Sequence, residues 1–150
     1  MTDLVQGVPD EIEDYAEIYL LAYEEAPWHK THDLPDVMNY ISAYLRDSGR
    51  RCFILRENDD PVGIVLGLIV PTIKGSYLKV QDFLIHPVKQ REGYGSRMLD
   101  LLFDRIHTTG FDSIQLFTQR NHPAYHFYLH NGFKEQDSSA LLIGKRIDTD

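Results

Sequence analysis

Gln90-Arg91-Glu92-Gly93-Tyr94-Gly95 is the stretch on which the reading of this chain turns. An apolar, strand-like run from Val80 to Pro87 leads into it, and a helix-like run from Ser96 to His107 leaves it. Two glycines one residue apart let the backbone approach a ligand closely, and the first turn of a helix presents N–H groups with no partner and a partial positive charge. Arg91 and Arg97 add cations beside them. The hexapeptide therefore reads as a cradle for phosphate, or else as a plain connector. No Gly-Lys-Ser/Thr follows, which disfavours a nucleoside-triphosphate loop, and Met98 stands where a dinucleotide fingerprint needs a third small residue.

Working outward, the apolar period assigns the elements. Leu4 to Val8 reads as a first strand, and Pro9-Asp10-Glu11 opens a helix that runs to about Glu25. A second helix spans Leu34 to Leu45 through Val37, Ile41, Tyr44 and Leu45. Arg51 to Glu57 and Val62 to Val70 form two antiparallel strands about the turn Asn58 to Pro61, and Tyr77 to His86 adds another. Behind the glycine turn, Met98, Leu99, Leu102 and Ile106 make a helical stripe that Gly110 closes. Ser113 to Thr118 returns as a strand, parallel to the one before the helix. A short helix ends at His130, with closing strands over Phe133 to Glu135 and Leu141 to Ile147. The fold class is α+β with a mixed sheet, in one domain over residues 1–150.

Composition narrows the function classes. Residues 1–36 hold ten acids against one base, Lys30, whereas the rest of the chain is nearly balanced, and the net charge is −8. That distribution argues against nucleic acid and suggests a cationic partner, with a solvated acidic helix face as the plain alternative. No run of 18 apolar residues or basic leader is present, so a cytoplasmic protein with no membrane partner is expected. The single cysteine, Cys52, lies in a strand-like run where burial is its expected role.

The order of elements and two segments together resemble the GNAT superfamily of acetyl-CoA-dependent N-acetyltransferases, over nearly the whole chain. Gln90, Gly93 and Gly95 match the Gln/Arg-x-x-Gly-x-Gly/Ala turn, and Asn121, Ala124, Phe127, Tyr128, Gly132 and Phe133 match Asn-x-x-Ala-x-x-Phe-Tyr-x-x-x-Gly-Phe. Glu92 departs from the pattern, since many relatives carry a basic or small residue there.

The resemblance implies a mostly antiparallel sheet of about six to seven strands flanked by about four helices, with a splayed parallel strand pair at the cofactor site. It implies that acetyl-CoA lies along Phe83, Leu84 and Ile85, on the turn Gln90, Arg91, Glu92, Gly93, Tyr94, Gly95 and Ser96, and beside Asn121 and Tyr128. Tyr128 would protonate the leaving thiolate, since an ordinary phenol is neutral at pH 7. Asp82 is the first candidate for the base that frees the acceptor amine, with His86 and Glu25 as alternatives. The acceptor would be a small, cationic amine held by Glu25, Trp28 and Asp82. Pro27-Trp28 is similar to a loop of aminoglycoside 6'-N-acetyltransferases, and Trp28 serves there either as a stacking platform or as a lid packed on the helices. A protein N-terminal or lysine acetyltransferase and a silent acyl-CoA-binding module are the alternatives. The family likeness also implies a homodimer. His122, His126 and His130 recur every four residues, but no carboxylate accompanies them and no metal is expected.

Overall fold

The computed structural model describes residues 1–25, 27–136, 142 and 144. The chain forms two compact units, Met1–Phe117 and Thr118–Asp150. The first unit is built on five strands: β1 (Thr2–Gln6), β2 (Arg50–Glu57), β3 (Asp60–Pro71), β4 (Ser76–Ile85) and β5 (Ile114–Leu116). They lie in the sheet in the same order as in the chain. Neighbours pair antiparallel except β4 and β5, which are parallel. Three helices complete the unit: α1 (Ile12–Glu24), α2 (Leu34–Arg46) and α3 (Tyr94–Thr109).

Local chemistry explains the joints. β2 and β3 meet across Asn58 and Asp59, both at positive φ (51° and 75°), which is the backbone of the tightest hairpin turn and suits these two residue types. β1 ends two residues earlier than its sequence suggests. Gly7 donates to the Cys52 carbonyl at 2.8 Å, and Val8 turns to donate to the Tyr15 hydroxyl at 3.1 Å. Tyr15 in turn donates to Glu11, which pairs with Arg56 and ties the start of α1 to β2. Gly110, at φ 88°, closes α3 by donating to Ile106.

The sheet is buried on both faces. One carries Cys52, Ile54, Ile64, Leu66 and Leu84 under Tyr15, Ile18, Val37 and Ile41 of the first two helices. The other meets α3 through Met98, whose sulfur would lie 2.8 Å from a Cβ built on Gly63, and through Arg105, stacked 5.3 Å above the Phe53 ring. Glu13, Glu17 and Glu24 of α1 are exposed, so they form a solvated helix face. Cys52 is buried, and burial pushes its thiol up to about 12, which keeps it protonated and inert at neutral pH.

One irregularity matters for everything that follows. Val80 pairs with Gly67 and Asp82 with Leu66, so Gln81 is an extra residue in β4 with no partner. A strand's side chains alternate faces, and this bulge resets the alternation. Val80 and Gly67 share the α3 face, whereas Asp82, opposite Leu66, lies on the face of α1 and α2.

The second unit holds α4 (Pro123–His130), stopped by Gly132 at φ 92°. Glu135 pairs with Arg120 and accepts from the Tyr125 hydroxyl at 2.8 Å; these partners, Arg120 first, hold its carboxyl below the usual range.

The expected six to seven strands are not matched by the five found among the described residues. Phe133 to Glu135 carries no strand, because the Phe133 N–H is taken by the Tyr128 carbonyl at 3.0 Å in the turn that ends α4. The expected strand Leu141 to Ile147 lies outside the described residues apart from Leu142 and Gly144. No described helix is long and apolar enough to cross a membrane.

Candidate active site

Two parts of the first unit have the makings of a site. The first is the far end of β4. Its pairing with β5 covers only Leu78, Lys79 and Val80, so the next residues run on past the last β5 partner. His86 donates its N–H to Val62 of β3 at 2.8 Å. Backbone groups alternate sides along a strand, so Phe83 and Ile85 turn theirs to the edge facing away from β3. The Gln90 amide donates to the Ile85 carbonyl at 3.1 Å and so joins this edge to the glycine turn. A short 3-10 turn, Pro87–Lys89, connects them, and there the His86 Nδ1 accepts the Val88 N–H at 3.2 Å. That bond engages the lone pair His86 would need to act as a base through Nδ1.

At the turn itself Arg91 and Gly93 both have positive φ (66° and 83°), and Gly93 caps the N-terminus of α3. A Cβ built on Gly93 would find no heavy atom within 4 Å, so the space above the helix N-terminus is open. Arg91, Glu92 and Gly93 are exposed, and Tyr94, Gly95 and Ser96 are half-buried. Arg97 donates from Nε to the Thr2 hydroxyl at 3.0 Å. An edge of amide groups that ends in a glycine-capped helix N-terminus suits an extended chain of amides tipped with phosphate, and the residues present fit such a group.

The second part is centred on Asp82, the one buried charged side chain among the described residues, with 6% of its surface exposed. Its two carboxylate oxygens each accept a phenol, Tyr23 on Oδ1 and Tyr40 on Oδ2, both at 2.6 Å. The Tyr40 and Tyr44 hydroxyls share a further bond of 3.3 Å. Burial first, then Asp82, pushes the Tyr23 and Tyr40 phenols far above their ordinary value. The rings of Tyr19 and Tyr23 lie 4.7 Å apart, those of Tyr19 and Tyr40 5.6 Å, and those of Tyr23 and Trp28 5.1 Å. Trp28 is half-buried and packs on Tyr23, so the structure gives it the packed placement. Glu25 is exposed at the end of α1 and lends its carbonyl to the His29 N–H.

The apolar stripes legible in the sequence, Ile12, Ala16, Tyr19 or Leu20 and Tyr23 on α1 and Val37, Ile41, Tyr44 and Leu45 on α2, leave out Tyr40. Its signal was present: Tyr19 and Tyr23, and again Tyr40 and Tyr44, stand four apart and therefore share one face of each helix. The shallow groove between α1 and α2, lined by Ile12, Leu34, Met38 and Arg46 among others, contains none of these residues.

In the second unit, Tyr128 lies on α4, half-buried, with its ring 5.2 Å from Phe127 and 5.3 Å from Phe133. Asn121 is exposed just ahead of the helix, and His122 caps it by accepting the Ala124 N–H on Nδ1 at 3.3 Å.

A mixed sheet opened at a parallel strand pair and followed by a glycine turn into a helix defines the class of acetyltransferase folds. The structure superposes on a possible acetyltransferase of Clostridium difficile 630 with a TM-score of 0.81 at 15% identity, covering 99% of each chain. It also superposes on a ribosomal-protein-alanine N-acetyltransferase of Brucella melitensis (0.75, 15% identity, 97% of this chain and 100% of that one). An aminoglycoside acetyltransferase from an uncultured soil metagenomic sample, in complex with sisomicin, matches at 0.73 and 12% identity over 98% of this chain and 97% of that one. No curated protein sequence matches the chain significantly. The Acetyltransferase (GNAT) family model matches residues 12–133, and the chain belongs to that family, whose members use acetyl-CoA as donor.

The turn makes a direct prediction. Gly93→Val forces a β-branched residue to φ 83° and should cost about 1–3 kcal/mol of stability. It should also weaken acetyl-CoA binding, measured by calorimetry. An unchanged affinity would mean the cofactor does not approach this turn.

Proposed function

We propose that this protein moves the acetyl group of acetyl-CoA to a primary amine of a small, cationic acceptor by direct attack within a ternary complex. The observation that carries this reading is the stretch of β4 that runs on past its last β5 partner into the glycine-capped helix. Acetyl-CoA supplies an activated thioester. We assign its amide chain to the β4 edge at Phe83 and Ile85, where the Ile85 carbonyl also accepts from Gln90, while Leu84 between them keeps its own groups on β3, and its pyrophosphate to the helix start from Gly93 to Ser96. Asn121 is assigned to positioning. As the C–S bond breaks and the new C–N bond forms, the departing sulfur gains the electron pair, and we assign its protonation to the Tyr128 hydroxyl.

Acceptor recognition falls to Asp82, Trp28 and Glu25. Two phenols already donate to the Asp82 carboxylate. That arrangement supports a role in holding positive charge over a role in removing the amine's proton, which we assign to solvent. The sisomicin complex of the soil aminoglycoside acetyltransferase supports a cationic small molecule as the acceptor class.

The test is acetyl-CoA calorimetry followed by thiol release with a panel of polyamines, aminoglycosides and peptides. Binding of acetyl-CoA with release on polyamines or aminoglycosides is expected. Release on peptides alone would make this a protein acetyltransferase, binding without release on any amine would leave an acyl-CoA-binding module, and no binding would end the reading.

A further inference from the structure

The Asp82 cluster is more elaborate than the capture of one reacting amine requires. Exposure rises outward from Asp82 at 6%, through half-buried Tyr19, Tyr23 and Trp28, to Tyr40 at 37%, with exposed His32 next to the Tyr19 and Tyr23 rings at 5.8 and 5.9 Å. The cluster thus holds a carboxylate beneath a layer of packed aromatic rings, of which Tyr40 is the most exposed tyrosine. Because both phenols spend their protons on Asp82, each oxygen can still accept, that of Tyr40 beside its bond with Tyr44, and gains electron density from the anion behind it. A cation reaching the outer side of the cluster would meet phenol oxygens and π faces, with a negative charge one hydrogen bond away.

Such an environment stabilises the protonated form of an amine. An attacking nitrogen needs the reverse, since its lone pair must be free. The ammonium held here is therefore a different nitrogen from the one acetylated. We infer that Tyr23, Tyr40 and Asp82, walled by Tyr19 and Trp28, form a subsite for a second, non-reacting ammonium, so that the preferred acceptors are dibasic. This rests on the N-acetyltransferase reading above and assigns specificity, rather than chemistry, to the two phenols.

Trp28 is the single tryptophan in the chain and packs on the Tyr23 ring, so its fluorescence reports on the cluster. Spermidine titrated into the full-length protein with CoA should give a saturable change, and 1,8-octanediol, of similar length and uncharged, should give none. Tyr40→Phe and Tyr23→Phe keep the rings, and each should weaken spermidine by about tenfold or more, the loss of one charge-assisted contact. The ratio of kcat/KM for 1,4-diaminobutane over butylamine should fall by a similar factor in each variant. Asp82→Asn should lower it further, and the two phenylalanine variants keep the test decisive if Asp82→Asn does not fold. An unchanged ratio together with unchanged spermidine affinity would overturn the subsite. Acetyl-CoA affinity, measured in parallel, separates the two levels. Its absence sinks the acetyltransferase reading, whereas its presence with diamines and monoamines used equally sinks only the second-ammonium site.

Discussion

Tyr128→Phe is expected to lower kcat by about 10²- to 10⁴-fold, the range spanned by removal of a general acid, while acetyl-CoA affinity changes by less than about threefold. The substitution deletes one oxygen and keeps the ring that packs against Phe127 and Phe133, so α4 retains its local contacts. If the phenol protonates the departing thiolate, the loss falls on the chemical step alone. Thiol release under saturating substrates, paired with calorimetry of acetyl-CoA, separates the two quantities. A kcat within about threefold of the parent would remove Tyr128 from the mechanism, because an acid whose loss costs so little is not transferring the proton.

The second large effect concerns the platform. Leu66 is fully buried in β3, in the cluster that includes Tyr15, Ile41, Cys52 and Ile64, and it pairs with Asp82 across the strand gap. Leu66→Ala should cost about 2–5 kcal/mol, through lost apolar burial and the cavity left behind. For a chain of this size that corresponds to roughly 5–15 °C in melting temperature, measurable by calorimetric unfolding. A shift under about 2 °C would mean that the α1 and α2 layer collapses freely onto the sheet, contrary to the close packing described.

The helices and the glycine turn were legible because their signals are local. Met98, Leu99, Leu102 and Ile106 mark one face of a helix, and Gly93 and Gly110 punctuate its ends. The turn at Asn58 and Asp59 was equally plain, since both residue types accept positive φ. The partners of Asp82 were not legible. Tyr23 and Tyr40 are distant from it in sequence and reach it only because α1 and α2 pack side by side on the face of the sheet that carries it, and tyrosine on a helical stripe looks like core. Asp82 itself was legible as a candidate, but the reason it turns toward the helices is the bulge at Gln81, for which the sequence carries no turn residue. The strand expected over Phe133 to Glu135 failed for a related reason: a short apolar run directly after a helix stop is also what a helix-terminating turn needs, and here the turn takes the Phe133 N–H.

The bulge sets a parity rule for β4. Leu78, Val80, Asp82 and Leu84 are all even-numbered, yet the first pair and the second pair face opposite layers, because one residue is spent without a partner. Any change of strand length by one residue near Gln81 exchanges what the two layers receive, presenting an acid to the Met98 side or apolar side chains to the tyrosines. A change by two leaves the facing intact. Length variation along this strand is therefore tolerable only in even steps, and the position of the acid is encoded as much by a count of residues as by their identities.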